Sequence, residues 1–241
     1  MIRAAILDLD GTVYEGSRLI DGADAAIESM RRKGLKVIFC TNNSSRPASS
    51  IVSKLNSMGI PCNEDDVVSS GSLAVDYALA NPEGIYFCGS DAMREEFRKK
   101  NIRFCAPDEC RTLIIGMDMK YDYERMTLGA RAALKAEKII ICNKDRLYPT
   151  EDGLNPGCGA MVASILSVTQ RKEDLILGKP ETTMMEFISG RFKFRPEEMM
   201  VIGDTETSDV EMAKRFGSPS LLIGKDIESL KDTVGWDWTK Y

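Results

Sequence analysis

Ala4-Ala5-Ile6-Leu7-Asp8-Leu9-Asp10-Gly11-Thr12-Val13-Tyr14 is where the reading of this chain begins. The run Ala4 to Leu7 is apolar at every position, the pattern of a strand buried on both faces of a parallel sheet. It delivers two carboxylates at i and i+2, and residues two apart in a strand point the same way. Asp8 and Asp10 are therefore expected side by side where the strand ends. Like charges held that close need a cation or a shared proton. Asp-x-Asp-Gly-Thr arises by chance in roughly one chain of this length per few hundred. A plain strand end followed by an Asp-Gly turn has the same letters, so the weight falls on what lies downstream.

Ala23, Ile27 and Met30 recur at helical spacing before Arg31-Arg32-Lys33-Gly34, an amphipathic helix with cations in its last turn and a glycine stop. Lys36-Val37-Ile38-Phe39-Cys40-Thr41 predicts a second buried strand. Strand, helix, strand at this spacing is a βαβ unit, whose strands are parallel neighbours. Asp8, Asp10 and Thr41 then open on one crevice at the carboxyl edge of the sheet, where open α/β sheets bind ligands. Thr41-Asn42-Asn43-Ser44-Ser45 precedes a helix with Pro47 near its start. Such residues suit an oxyanion, and they cap helices equally well. Opposite Asp8, anion binding is the favoured reading.

Further on, Leu175-Ile176-Leu177-Gly178-Lys179-Pro180 reads as strand, turn and helix. Pro180 suits the first helical turn, which sets the Lys179 ammonium at the strand's carboxyl end. Met199 to Gly203 predicts another buried strand, ending at Asp204, with Asp209 five residues on where the next helix starts. Ser220 to Gly224 is a last strand.

Between these parts, Asn81-Pro82-Glu83-Gly84 signals a loop, after which a second βα series begins. Strands are expected at Ile85–Phe87, Ile102–Phe104, Leu113–Gly116 and Ile139–Cys142, with helices through Phe97 and Ala130. Asn143 to Gly159 is a long loop without periodicity, and long loops in compact domains tend to be functional. A helix from Ala160 to Val168 closes the series. The expected fold is α/β: a doubly wound, mainly parallel, Rossmann-like core of residues 1–80 plus 177–241, with a smaller α/β cap domain, 81–176, inserted into it.

The 241 residues carry 32 basic and 37 acidic side chains, net −5, which argues against nucleic acid or an anionic membrane as the main partner. No apolar run approaches a membrane span and no leader is evident, so the cytoplasm is the expected compartment. The seven cysteines form no Cys-x-x-Cys pair and read as small apolar residues in a reducing environment. There is no histidine. That excludes Ser-His-Asp and Cys-His catalysis and histidine-ligated metals. What remains is chemistry by carboxylates, lysine, hydroxyls and an oxygen-bound metal.

Four segments, Asp-Leu-Asp-Gly-Thr-Val (8–13), Cys-Thr-Asn-Asn (40–43), Gly-Lys-Pro (178–180) and Gly-Asp-Thr-Glu-Thr-Ser-Asp (203–209), in this order resemble the haloacid dehalogenase superfamily of aspartyl phosphotransferases. Thr-Asn-Asn-Ser, the position of the insert and Asn155-Pro156-Gly157-Cys158-Gly159 are similar to the branch holding p-nitrophenyl phosphatase, phosphoglycolate phosphatase and NagD-type phosphatases. The resemblance implies that Asp8 is the nucleophile and Asp10 the acid, then base. It implies that Thr41 and Lys179 hold phosphoryl oxygens, and that Leu9, Asn42 and Asn43 line the phosphate pocket. It further implies Mg²⁺ on Asp8, the Asp10 carbonyl and Asp204, with Asp209 beyond the ligands.

Some members of that branch read the substrate with a cap-loop histidine, and this chain has none. A pyridoxal-phosphate-type substrate is thereby disfavoured, and Asp145, Arg146, Tyr148 and Asp152 become the candidate specificity residues. The expected activity is Mg²⁺-dependent hydrolysis of a small phosphorylated metabolite, with p-nitrophenyl phosphate as an artificial substrate. Any self-association is expected through the cap. A phosphotransferase using the same intermediate is the near alternative. A phospho-accepting signalling module of the receiver type is the distant one; such modules are about half this length.

Overall fold

The computed structural model describes residues 1–150 and 153–241, which divide into two compact units. The first comprises Met1–Thr41, Ala48–Val68 and Lys179–Tyr241; the second comprises Asn42–Pro47 and Ser69–Gly178.

The first unit is built on a five-stranded sheet in the order Ser220–Leu222, Met199–Gly203, Ala4–Leu7, Lys36–Thr41, Val67–Ser69. Ala4–Leu7 is central and parallel to both neighbours, with Leu7 opposite Phe39 on one side and Ile202 on the other. All four of its residues are fully buried. Covering on both faces is why this strand is apolar throughout rather than alternating. On one face Ala5, Leu7 and Leu9 join Val37, Phe39, Ile27, Met30, Leu55 and Ile202 in a continuous core. The helix Ala23–Arg32 contributes Ala23, Ala26, Ile27 and Met30 to its buried side. Asp24 in its first turn and Arg31 and Arg32 in its last complement the helix dipole.

The second unit carries a four-stranded parallel sheet in the order Leu175–Ile176, Lys138–Ile141, Thr112–Ile115, Ile85–Cys88. Helices Asp91–Lys99, Tyr123–Lys135 and Cys158–Leu166 accompany it, and the Phe87 and Phe97 rings stack at 4.6 Å. The fold is thus α/β with mainly parallel sheets and flanking helices, as the hydrophobic patterning predicts. Among the described residues no helix is long and apolar enough to cross a membrane.

Several local expectations fail. Leu175–Ile176 pairs with Ile140–Ile141 in the second unit's sheet, so the turn to Lys179 follows a strand of that unit. A short apolar run signals burial without saying in which sheet. The helix after Lys179 starts at Thr183, so Pro180 lies in the preceding turn, after a cis Lys179–Pro180 peptide. Ile102–Phe104 is not a strand: the Ile102 N–H closes the preceding helix on the Phe97 carbonyl (3.0 Å), and Cys105 N–H reaches the Ile85 carbonyl (2.9 Å). Within Asn143–Gly159 a hairpin forms, Leu147–Thr150 against Gly153–Pro156, with Tyr148 opposite Asn155. Its prolines and polar residues hide the strand pattern. The helix Ser70–Ala80 groups with the second unit, where Ser70 Oγ donates to the Asn42 carbonyl (2.7 Å) and Gly71 N–H to that of Asn43 (3.2 Å).

Candidate active site

Asp8 lies one residue past Ala4–Leu7, and its N–H still donates to the Ile202 carbonyl at 2.9 Å. The Leu9 side chain is fully buried in the core beside Leu7. Any contact of Leu9 with a phosphate is therefore confined to its backbone. The Leu9 carbonyl accepts N–H bonds from Thr12 (3.3 Å), Val13 (2.8 Å) and Tyr14 (3.1 Å), and Gly11 N–H donates to the Tyr14 carbonyl (2.9 Å). This closes a tight loop around Asp10. Gly11 sits at φ 83°, a left-handed conformation that side chains disfavour. A Cβ there would also collide with the Asp204 carboxylate, and one on Gly203 would fall on that of Asp209. The glycines of Asp-Gly and Gly-Asp make room for two acids.

Lys179 is 3% exposed and uses all three ammonium N–H groups. They reach Asp8 Oδ1 (2.5 Å), Asp209 Oδ1 (2.6 Å) and the Cys40 carbonyl (3.2 Å). Asp209 is buried, and its other oxygen accepts the Thr205 N–H at 3.2 Å. Burial works against the Lys179 charge, but the Asp209 and Asp8 carboxylates outweigh it and hold the ammonium well above the usual lysine range. Burial pushes Asp8 up to about 7; Lys179 opposes the shift and the Asp209 charge adds to it. Burial also raises Asp10, against Lys54, Lys179 and the Tyr14 hydroxyl. Asp204 is raised by burial and then by the Asp209 charge.

One carboxylate oxygen each from Asp8, Asp204 and Asp209 lies within 4.8 Å of the others. Three acids around a single ammonium leave an excess of negative charge. An all-oxygen donor set suits a hard divalent cation, so these residues fit Mg²⁺. Asp209 belongs to this group, although the sequence reading set it beyond the ligands. Thr41 is buried at the end of Lys36–Thr41.

Asn42, Asn43, Asp145, Arg146 and Tyr148 all fall in the second unit. Asn42 Nδ2 donates to both Asp145 oxygens, at 3.2 and 3.0 Å. Asn43 Oδ1 accepts from the N–H of Ser45 (3.1 Å) and of Arg46 (3.2 Å), so this oxygen caps a turn. Arg146 is exposed, and the Tyr148 hydroxyl donates to Met119 Sδ at 3.0 Å. Asp152 lies outside the described residues. Two residues near Asp10 went unmarked in the sequence: Tyr14, and Lys54, whose ammonium lies 3.3 Å from the Tyr14 ring centroid. The only signal for Tyr14 is its place four residues after Asp10; Lys54 carries none.

Comparison with known proteins identifies the family. Residues 5–103 match the haloacid dehalogenase-like hydrolases, and residues 176–239 match the HAD-hydrolase-like family. The chain belongs to the haloacid dehalogenase-like hydrolases, in the branch of p-nitrophenyl phosphatases and NagD-like proteins. It is similar to the sugar-phosphatase AraL of Bacillus subtilis, at 31% identity over 90% of this chain and 81% of that protein. The 5′-nucleotidase YutF of the same organism is 29% identical over 90% of this chain and 85% of that one. A crystal structure of 4-nitrophenylphosphatase from Thermotoga maritima is 31% identical, with a TM-score of 0.84 over 92% of this chain and 85% of that one. The protein is an enzyme of the phosphatase class.

Proposed function

We propose that the first unit hydrolyses phosphate monoesters by two successive displacements at phosphorus. The observation that carries the reading is the buried Lys179 ammonium bridging Asp8 and Asp209, with Asp204 completing the group of three acids. An ionised Asp8 oxygen attacks phosphorus, and the bond to the leaving oxygen breaks. The leaving oxygen keeps the electron pair and takes the proton of Asp10. Water then attacks the aspartyl phosphate and gives a proton to Asp10. The Asp8–phosphorus linkage breaks, which restores the carboxylate and releases orthophosphate. Thr41 and Lys179 hold phosphoryl oxygens, the positioning and neutralisation on which phosphoryl transfer depends.

Asp8, Asp204, Asp209 and the Asp10 carbonyl would hold Mg²⁺, which when bound offsets the repulsion between a dianionic ester and an anionic nucleophile. Within the second unit, Asp145, Arg146 and Tyr148 are the proposed readers of the leaving group, and Asn42 and Asn43 serve the phosphate. The names of the relatives support a small phosphorylated metabolite, a sugar phosphate or a nucleoside monophosphate. The near-balanced charge supports the same class of partner. The cysteine usage supports a reducing, cytoplasmic setting.

The test is a panel of sugar phosphates, nucleoside monophosphates and p-nitrophenyl phosphate, assayed with Mg²⁺ and again with chelator. Orthophosphate release that chelator abolishes is expected. Release unaffected by chelation would overturn the metal assignment, and phosphate passing to an added alcohol instead of water would make the enzyme a transferase.

A further inference from the structure

The second unit holds a cavity of about 370 Å³ that the two displacements leave unused. It lies at the carboxyl end of Ile85–Cys88, the edge strand of the four-stranded sheet, with Tyr86 and Cys88 in its lining. Residues two apart share a face of a strand. Cys88 Sγ lies 3.9 Å from the Arg125 carbonyl, so this face is the one under the helix Tyr123–Lys135. The volume falls within the roughly 300–1,000 Å³ of small-molecule sites. Part of the charge around it is already matched. The buried Asp118 accepts from Arg125, whose Nη2 also reaches Asp91 Oδ1 at 3.0 Å, and Lys120 meets Asp91 Oδ2 at 3.1 Å. The remainder is not. Arg94, half-buried, donates to the Phe87 carbonyl at 2.6 Å and meets no carboxylate among the described residues. Glu124 meets no cation among them, and Asp122 spends one oxygen on the Arg125 N–H at 2.8 Å. Acids at a helix start complement its dipole, which accounts for Asp122 and Glu124. It does not account for a guanidinium on the same cavity with donors to spare, a group whose fork matches a carboxylate.

We propose that this cavity binds a free amino acid with a cationic side chain, of the lysine, ornithine or arginine kind. The ligand's carboxylate pairs with Arg94, and its two cationic groups lie against Asp122 and Glu124. Charge selects the class. Four acids, Asp91, Asp118, Asp122 and Glu124, face three cations, Arg94, Arg125 and Lys120, an excess of one negative charge. A ligand of net charge +1 closes that gap. A neutral zwitterion leaves an acid unmatched, a diamine leaves Arg94 without its anion, and a simple carboxylic acid deepens the excess. The Asp118–Arg125 pair forms a fixed floor, since Asp118 Oδ1 also accepts the Lys120 N–H at 2.9 Å. Tyr86 and Leu128 supply apolar surface for the methylene stem of the ligand. Binding involves no covalent step and needs neither Asp8 nor a divalent cation.

The experiment is titration calorimetry of the full chain in chelator, near neutral pH and at about 150 mM salt, which screens distant surface charges. The probes are L-lysine, L-norleucine, cadaverine and hexanoate. They share a stem; norleucine lacks the side-chain ammonium, cadaverine the carboxylate and hexanoate both cations. Saturable one-to-one binding of lysine is expected, with each of the other three at least roughly tenfold weaker, because a hydrogen-bonded charge is worth about one to two powers of ten. Arg94→Met and Glu124→Gln should each weaken lysine about tenfold or more, while Arg103→Met, outside the cavity, should leave it unchanged. The variants should also change the ranking, which mere loosening would not do. In Arg94→Met cadaverine should bind as well as lysine, and in Glu124→Gln the gap between lysine and norleucine should narrow. No saturable lysine binding up to about 20 mM overturns the proposal, as does cadaverine or norleucine binding the wild type as tightly as lysine. Lysine affinity untouched by both variants overturns it too, and so does displacement of lysine by orthophosphate, which would put the ligand at the catalytic acids. Melting midpoints show whether each variant is folded. Should Arg94→Met fail to fold, Glu124→Gln, at an exposed position, decides.

Discussion

Replacing Lys179 with methionine strikes the arrangement where it is most exacting. The ammonium is buried, with donors 2.5 Å from Asp8, 2.6 Å from Asp209 and 3.2 Å from the Cys40 carbonyl. Methionine keeps much of the stem and none of the donors, leaving two buried carboxylates without their cation. Breaking a buried pair by removing one partner costs roughly 3–5 kcal/mol. In a chain of this length each ~1 kcal/mol moves the melting midpoint by about 2–4 °C. At pH 8 in chelator, Lys179→Met should therefore melt about 6–20 °C below wild type. The gap should narrow toward pH 6. Asp8, already at about 7 beside the ammonium, rises further when that charge goes and takes up a proton, which removes one of the two stranded charges. Millimolar Mg²⁺ should raise the midpoint of the variant more than that of wild type, because a divalent ion on the same acids replaces part of the lost charge. Calorimetric melts at pH 6 and pH 8, with and without Mg²⁺, measure all of this. A variant that melts within about 1 °C of wild type at pH 8 in chelator would refute the ion-pair argument.

Asp8→Asn should abolish orthophosphate release while the circular dichroism spectrum and cooperative melt persist; wild-type-like turnover would remove Asp8 as nucleophile. For the metal-free protein, the folded Asp8 titrates near 7 against a usual carboxylate value near 3.8, so the folded state binds the proton more tightly than the unfolded one. The Asp8 contribution therefore falls as pH rises from about 4 to about 7, and Mg²⁺ affinity falls as pH drops below about 7; titration calorimetry across pH 5.5–8 should show affinity rising with pH, and a flat profile would contradict the shift. Gly11→Ala forces a Cβ onto the Asp204 carboxylate at a left-handed φ, which should weaken Mg²⁺ binding and cost about 1–2 kcal/mol of stability; unchanged Mg²⁺ affinity would show that Asp204 is no ligand. Leu7→Ala, at a fully buried position in the central strand, should cost about 2–5 kcal/mol in urea unfolding, and a loss under about 1 kcal/mol would mean the site collapses to fill the cavity.

Most of the core sheet was readable because its strands are apolar on both faces and bounded by helical spacing. Ala4–Leu7, Lys36–Thr41 and Met199–Gly203 lie side by side as that pattern requires. The sheet joined by the strand before Lys179 is not written in its own residues: two or three buried apolar residues are equally at home in either sheet, and Leu175–Ile176 takes the one in the second unit. The hairpin Leu147–Thr150 and Gly153–Pro156 was hidden because proline and glycine, which punctuate loops, are also tolerated on the edges of short ribbons. Tyr14 and Lys54 were invisible for another reason, since no short-range pattern records which aromatic ring a loop folds back under.

The role of Asp209 shows what a motif can say about geometry once its glycine is read correctly. Asp209 stands five residues after Asp204, in the π-helical stretch Glu206–Val210, and its carboxylate comes back against Gly203. Its carboxylate occupies the volume a side chain at 203 would need, just as that of Asp204 occupies the volume at Gly11. Each glycine thus marks the place where an acid from elsewhere arrives, and the two placements bring Asp204 and Asp209 to Asp8. Three carboxylates within 4.8 Å would repel one another in the absence of compensating charge. One buried ammonium cannot neutralise them all. The residual negative charge suits the site to a divalent cation, which would also offset the repulsion between Asp8 and a dianionic phosphate. Gly203→Ala should consequently displace Asp209, loosen its hold on Lys179 and weaken Mg²⁺ binding together; a variant that lost one of these without the other would mean that the ammonium and the acids are not a single electrostatic unit.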